Sequence, residues 1–187
     1  MSRHGYCDGD DVDDYWSVIR WQGAVQSAIR GKRGQALLRR MAQALDAMPD
    51  QRLIAEELVR EHDGACCALG SVAKLDGIDV SAVDPEDSDQ VAVRFNIAPS
   101  LAREITWQND EHVKPLKEVR EGGYYLAPDG RRIEPWSRER RERNDLELVP
   151  LRYRDPTPEE LERNERDRWR WVRAWVHARI IEDSDAE

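Results

Sequence analysis

A chain of 187 residues, 40% hydrophobic and 36% charged, is long enough to bury one sizeable core and needs neither disulfides nor metal to hold it. It has no run of about 18 apolar residues, and its opening, MSRHGYCDGDDVDD, lacks an apolar signal core, so neither a membrane span nor a secretory leader is expected and the cytoplasm is the expected location. The net charge of −9 is uneven: residues 1–111 carry 12 basic and 20 acidic side chains, residues 112–155 carry 11 and 9, and residues 156–187 carry 6 and 9. An acidic body repels phosphate backbones, which favours a protein partner and confines any nucleic-acid contact to the middle segment.

In chain order, residues 11–30 place Tyr15, Val18, Trp21, Val25, Ala28 and Ile29 at helical spacing, behind aspartates that suit the positive end of a helix. GKRG at 31–34 breaks the pattern. Leu37, Leu38, Met41, Leu45 and Met48 then form a second amphipathic stripe ending at Pro49, and so short a link predicts an antiparallel pair. A third helix is expected over 50–61, with Leu53, Ile54, Leu58 and Val59. A fourth, in HDGACCALGSVAKLDG, is rich in small residues and ends at Gly77. Asp84 as a cap with Pro85 in the first turn predicts the start of a fifth, and a sixth runs from Pro99 to about Glu111.

Beyond residue 112 the character changes. YYLAPDGRRIEPW has two strand-compatible runs around PDG, a hairpin signal, and DLELVPLRYR alternates as a short strand does. Thr157, Pro158 and Glu160 form a capping box with proline at the first helical position, opening a last helix to about Ile181. Its apolar stripe is Leu161, Trp169, Val172, Trp175, Val176 and Ile180. The fold class is therefore mainly α: a helical domain of six to seven helices from 1–112 and 156–182, an inserted β-hairpin lobe or long ordered loop at 113–155 and a disordered, solvated tail at 183–187. No internal repeat occurs.

Several stretches carry chemistry on paper. Residues 91–108 fit a helix-turn-helix: Ala92, Phe95, Asn96, Ile97, Ala102 and Ile105 fill its packing and hinge positions, and Ser100, Arg103 and Gln108 could face a major groove. Asp84, Glu86, Asp87, Asp89, Asp110 and Glu111 surround it with the wrong sign of charge, so an ordinary helix pair is the favoured reading. Five aspartates between Asp8 and Asp14 lack the alternation, glycine and terminal glutamate of an EF-hand loop. His4 with Cys7, and His62 with Cys66 and Cys67, lack the paired spacing of structural zinc. On a helix His62 and Cys66 could meet as base and nucleophile, but nothing around them supplies an oxyanion loop. The three cysteines are an odd set with two adjacent and are expected as reduced thiols, Cys66 and Cys67 buried. No phosphate-binding glycine loop is present, and no catalytic residue, metal or cofactor is expected. The best local candidate for an anionic partner is RRIEPWSRERRER, where Arg131, Arg132, Arg138, Arg140 and Arg141 accompany Trp136, although Glu134, Glu139 and Glu142 dilute the field. Trp171 lies off the last helix's stripe and is a candidate interface residue.

The segments RHGYCDGDDVDDYWSVIRWQGAVQSAIRGKRGQALL, DPEDSDQVAVRFNIAPSLAREITWQNDE and RWVRAWV resemble a family of small phage and prophage proteins over residues 3–111 and about 156–176, with 113–155 longer than the family's link. The resemblance implies an accessory protein working inside an infected bacterium and brings no substrate or catalytic residue. The leading expectation is thus a non-enzymatic protein that binds a host or phage macromolecule, with inhibition of a bacterial defence system as the role the context suggests. A nucleic-acid-binding regulator using 91–108 or 131–143 and a small metal-dependent or cysteine enzyme are the alternatives.

Overall fold

The computed structural model describes residues 15–182, with side chains from Ile19 onward. The aspartates at 8–14, the His4–Cys7 pair, the side chains of Tyr15 and Val18 and the tail at 183–187 lie outside the described residues. Among those described, the chain is mainly helical, with short antiparallel strands. It divides into two compact units, one of Met1–Pro115 with Glu162–Glu187 and one of Leu116–Leu161.

In the first unit, α1 (Tyr15–Arg30) and α2 (Lys32–Asp46) are separated by Gly31 alone, in extended conformation. The break is narrower than GKRG suggests, because α2 begins at Lys32. Leu37, Leu38, Met41 and Leu45 are buried along α2 as their spacing requires. The expected helix over 50–61 does not form. Its apolar residues Leu53, Ile54 and Leu58 are buried, but on an irregular, partly extended segment in which Gln51 and Glu56 take left-handed backbone angles. Val59 and Cys66 pair as an antiparallel bridge. The physical reason is that tertiary partners take its backbone groups: the Leu53 N–H donates to the Glu165 carbonyl at 3.1 Å and the Ile54 N–H to that of Cys66 at 3.1 Å. Bonds of this kind replace the helical ladder at equal satisfaction.

Helix α3 (Ala68–Asp76) starts at Cys67, whose Sγ accepts the Gly70 N–H at 3.5 Å, and ends at Gly77 in the left-handed conformation, as the sequence predicts. Gly70 permits a close approach: a Cβ there would lie 1.8 Å from the Leu58 carbonyl oxygen. The small Gly70 thus serves close contact with the irregular segment at Leu58. Helix α4 (Ser88–Arg94) begins later than Asp84–Pro85 predicts. Asp84 caps only a turn, its carboxylate accepting the Glu86 N–H at 2.9 Å, and Asp87 is the true cap, accepting from Asp89 and Gln90 at 3.0 Å each. Asn96, with φ 53°, supplies the left-handed hinge before α5 (Pro99–Asp110), which carries proline in its first turn.

The second unit is built on one bent antiparallel ribbon. Strand β1 (Val119–Glu121) pairs with β5 (Arg152–Arg154), and β2 (Tyr124–Leu126) pairs with β4 (Glu147–Val149). Glu121 faces Arg152 and Tyr124 faces Val149, so a single register runs through both pairs. The bend falls where Gly122 and Gly123 both have positive φ and Pro150 has no N–H to donate. A Cβ at Gly122 would sit 2.1 Å from the Pro150 carbonyl oxygen. The stretch DLELVPLRYR is accordingly two strands divided at its proline. Strand β3 (Arg132–Ile133) joins β2 across PDG as the predicted hairpin, and α6 (Arg138–Glu142), a short helix capped by Ser137, is an addition to the expected elements.

Helix α7 (Pro158–His177) opens with the predicted capping box: the Glu160 N–H donates to Thr157 Oγ1 at 3.3 Å and the Thr157 N–H to Glu160 Oε2 at 2.8 Å. It ends at His177 instead of Ile181. Val172, Trp175 and Val176 enter the core, whereas Leu161 is exposed.

Candidate functional site

The helix-turn-helix reading places α5 in a DNA groove, and the structure puts it in the middle of the first unit. Leu101, Ala102, Glu104, Ile105, Thr106, Gln108, Asn109 and Asp110 are all buried. Gln108, 5% exposed, donates to Glu104 at 2.8 Å and accepts the Trp171 indole N–H at 3.0 Å. Arg103 is held by Ser88 at 2.8 Å, with Asp89 beside it, and the Ser100 hydroxyl points to the Ala24 carbonyl at 3.4 Å. A recognition helix needs a free face; α5 has spent nearly all of its surface on packing. Trp171 is likewise engaged internally, its ring stacked within 9° of parallel on His112.

The cysteine pairing fails on geometry. His62 stands exposed in a turn with Asp63 as its near neighbour at 3.8 Å, and no helix joins it to Cys66. Burial pushes the Cys66 thiol up to about 11, the opposite of what a nucleophilic thiolate requires.

The second unit presents a different surface. Only Ala127 and Ile133 are buried hydrophobics among its residues, while Trp136, Leu148, Leu151 and Tyr153 are exposed. The Arg-rich run is largely neutralised from within. Arg131 bonds Asp129 at 2.8 Å and Glu139 at 3.1 Å, Arg132 pairs with Glu134 at 2.9 Å, Arg138 with Glu142 at 2.5 Å, and Arg143 with Asp145 at 2.6 Å and Glu139 at 3.2 Å. Glu134, Glu139 and Glu142 were visible in the sequence as dilution; the structure makes them direct partners and adds Asp129 and Asp145. Arg140 instead lies over the Tyr125 ring at 4.0 Å, on the ribbon face where Ile133 is buried.

The bend of the ribbon creates a site that sequence reasoning missed. A shallow cavity of about 550 Å³ is lined by Arg120, Tyr124, Arg132, Val149 and Arg152 together with the backbone turns at Gly122 and Pro150. Arg132 covers the Tyr124 ring at 4.4 Å. Glu121 also lines this cavity, but its carboxylate accepts from Arg154 Nε at 2.6 Å. Arg120 and Arg152 have no carboxylate within ion-pair distance among the described residues. They stand 32 positions apart in the chain, and the register sets Arg120 across from Tyr153 and Arg152 across from Glu121, on opposite faces of the β1–β5 pair, so no local motif could have announced that both border this turn.

In comparisons with models of protein families, with curated proteins and with solved structures, nothing matches the chain.

Proposed function

We infer that the protein is a non-enzymatic accessory protein of the phage type, working in the cytoplasm of an infected bacterium by binding a protein of the host or the phage through residues 116–161. The observation that carries this reading is the inverted surface of that unit: Trp136 is 72% exposed, and Leu148, Leu151 and Tyr153 accompany it over a core of only two buried hydrophobics. Exposed tryptophan, tyrosine and arginine are the side chains that dominate protein interfaces, because each buries a large area at modest entropic cost. The resemblance of the helical segments to phage proteins supplies the cellular setting, and a bacterial defence component is the class of target that setting favours.

A photo-crosslinking amino acid at position 136, compared with one at the equally exposed Val93 of the first unit, tests the reading in infected cells. Crosslinks to a discrete protein from position 136 and none from position 93 are expected. Crosslinks from position 93 alone, or crosslinks to nucleic acid, would overturn it.

A further inference from the structure

We propose that a groove on the first unit, formed by the segment at 57–61, the end of α3 and the loop at 78–85, receives a basic protein segment: an aliphatic side chain on its floor, and flanking lysine or arginine side chains at Glu57 and Glu61. This goes beyond the reading above, because it gives the helical unit a contact of its own. The groove measures about 610 Å³. Val59, Ile78, Val80 and Val83 line it. The last three pack against the core and are only half-buried, so apolar surface is left for a ligand to cover. The loop is fixed in place. The Ile78 N–H donates to the Ala73 carbonyl at 2.9 Å, the Val83 N–H to that of Val80 at 3.1 Å, and Arg94 Nε to that of Asp79 at 2.6 Å. A concave surface formed in advance lowers the ordering cost of binding.

Charge names the occupant. Glu57 and Glu61 line the groove and are exposed, and among the described residues neither has a cation within ion-pair distance. The cations nearby are engaged elsewhere. Arg60 grips Asp63 through two bonds of 3.0 and 2.7 Å and lines a separate cavity, while Lys74, the single cation among the groove's lining residues, donates to the Gly64 carbonyl. Asp79 adds a third carboxylate, which accepts only from Ser81, at 3.0 and 2.7 Å. Such a rim repels phosphate polymers and anionic lipid and attracts ammonium and guanidinium groups. The 20 acidic against 12 basic side chains of residues 1–111 add steering of a cationic partner.

The test uses the full chain and fluorescence anisotropy at low salt with three fluorescein-labelled hexapeptides: one with a valine–leucine centre between paired lysines, one with glycines at that centre, and one with glutamates replacing the lysines. The first is expected to bind, the glycine-centred peptide at least about tenfold more weakly and the glutamate peptide not at all. Glu57→Lys/Glu61→Lys should weaken the first by about tenfold or more. The near-isosteric Glu57→Gln/Glu61→Gln should give an intermediate affinity, which separates lost recognition from lost folding. Glu118→Lys/Glu147→Lys makes the same change of net charge outside the groove and should leave binding within about twofold. No binding of the valine–leucine peptide, equal binding of the glycine-centred one, an unaltered affinity in the glutamine variant, or an equal loss in Glu118→Lys/Glu147→Lys would overturn the groove. Crosslinking at position 136 reads the other contact, so either proposal can fail while the other stands.

Discussion

Arg168 and Arg152 carry the same side chain into opposite surroundings. Arg168 is 2% exposed within the first unit, where its guanidinium donates to the carbonyls of Leu53 at 2.9 Å and Val113 at 2.8 Å and to Asn164 Oδ1 at 2.9 Å. Burial pulls its pKa down, while Asp110 and Glu165 act against that pull. Arg152 stands on the surface of the second unit with no carboxylate partner among the described residues. The first unit uses polar groups to fix irregular backbone inside a core, whereas the second keeps polar and aromatic groups outside a core that is nearly absent. Where a domain turns its strongest hydrogen-bond donors inward they specify a fold; where it turns them outward they remain for a partner.

If that contrast holds, the largest loss of stability comes from Arg168→Ala. Leu53 and Val113 would each keep a carbonyl that loses its charged donor, at about 1–3 kcal/mol apiece, so roughly 2–6 kcal/mol in total. Urea denaturation followed by tryptophan fluorescence measures it, and a loss below about 1 kcal/mol would mean that water replaces the guanidinium. Asn109→Ala ranks next. Its side chain accepts the Ala68 N–H at 3.1 Å and donates to the Ile54 carbonyl at 2.8 Å, so it ties α5 both to the start of α3 and to the irregular segment that carries Ile54. A cost of about 2 kcal/mol is expected, together with faster amide exchange at Ile54 and Ala68 and little change in the second unit.

These two residues also explain where the sequence was legible and where it was not. The amphipathic stripe of α2, the glycine stop of α3, the proline start of α5 and the capping box of α7 are local signals, and each was met. The segment at 50–61 was misread because its apolar spacing suits a helix, while the groups that decide its backbone, Asn109, Arg168 and Glu165, lie more than 40 residues away in the chain. The same limit hid the bend of the ribbon. The hairpin at PDG could be read, but the long-range register that pairs β1 with β5 could not. At α5 the template positions were correct, with Asn96 as the left-handed hinge. Periodicity alone, however, does not tell a helix with one buried face from one buried nearly all round.

A smaller effect is expected from pH, and it falls on the second unit. Arg154 holds Glu160 through two bonds of 2.7 and 2.8 Å. With the Thr157 N–H, this lowers the Glu160 carboxyl from 4.5 to about 2. A carboxylate whose folded value lies below its unfolded one contributes fully above the unfolded value and loses that contribution as pH falls towards the folded one. Amide protection at Thr157 and Glu160 should therefore be constant above pH 4.5 and decline between 4.5 and about 2, and Glu160→Gln should flatten that decline. An unchanged profile in Glu160→Gln would show that another carboxylate governs the start of α7.

The smallest effect on stability is expected where the effect on binding is largest. Trp136 is 72% exposed, so replacing it removes little buried area, and Trp136→Ala should change the unfolding free energy by less than about 0.5 kcal/mol. An indole left in water is a standing loss of apolar surface that a partner can recover. Truncating one at the centre of an interface commonly costs about 2 kcal/mol or more of affinity. The paired measurement is thus unfolding in urea and co-purification of the partner identified by crosslinking. Unchanged stability with at least about a tenfold fall in partner recovery supports the division between a unit built to fold and a unit built to bind. Lowered stability with recovery intact would show instead that Trp136 serves the second unit's own packing, and the contrast between the two surfaces would collapse.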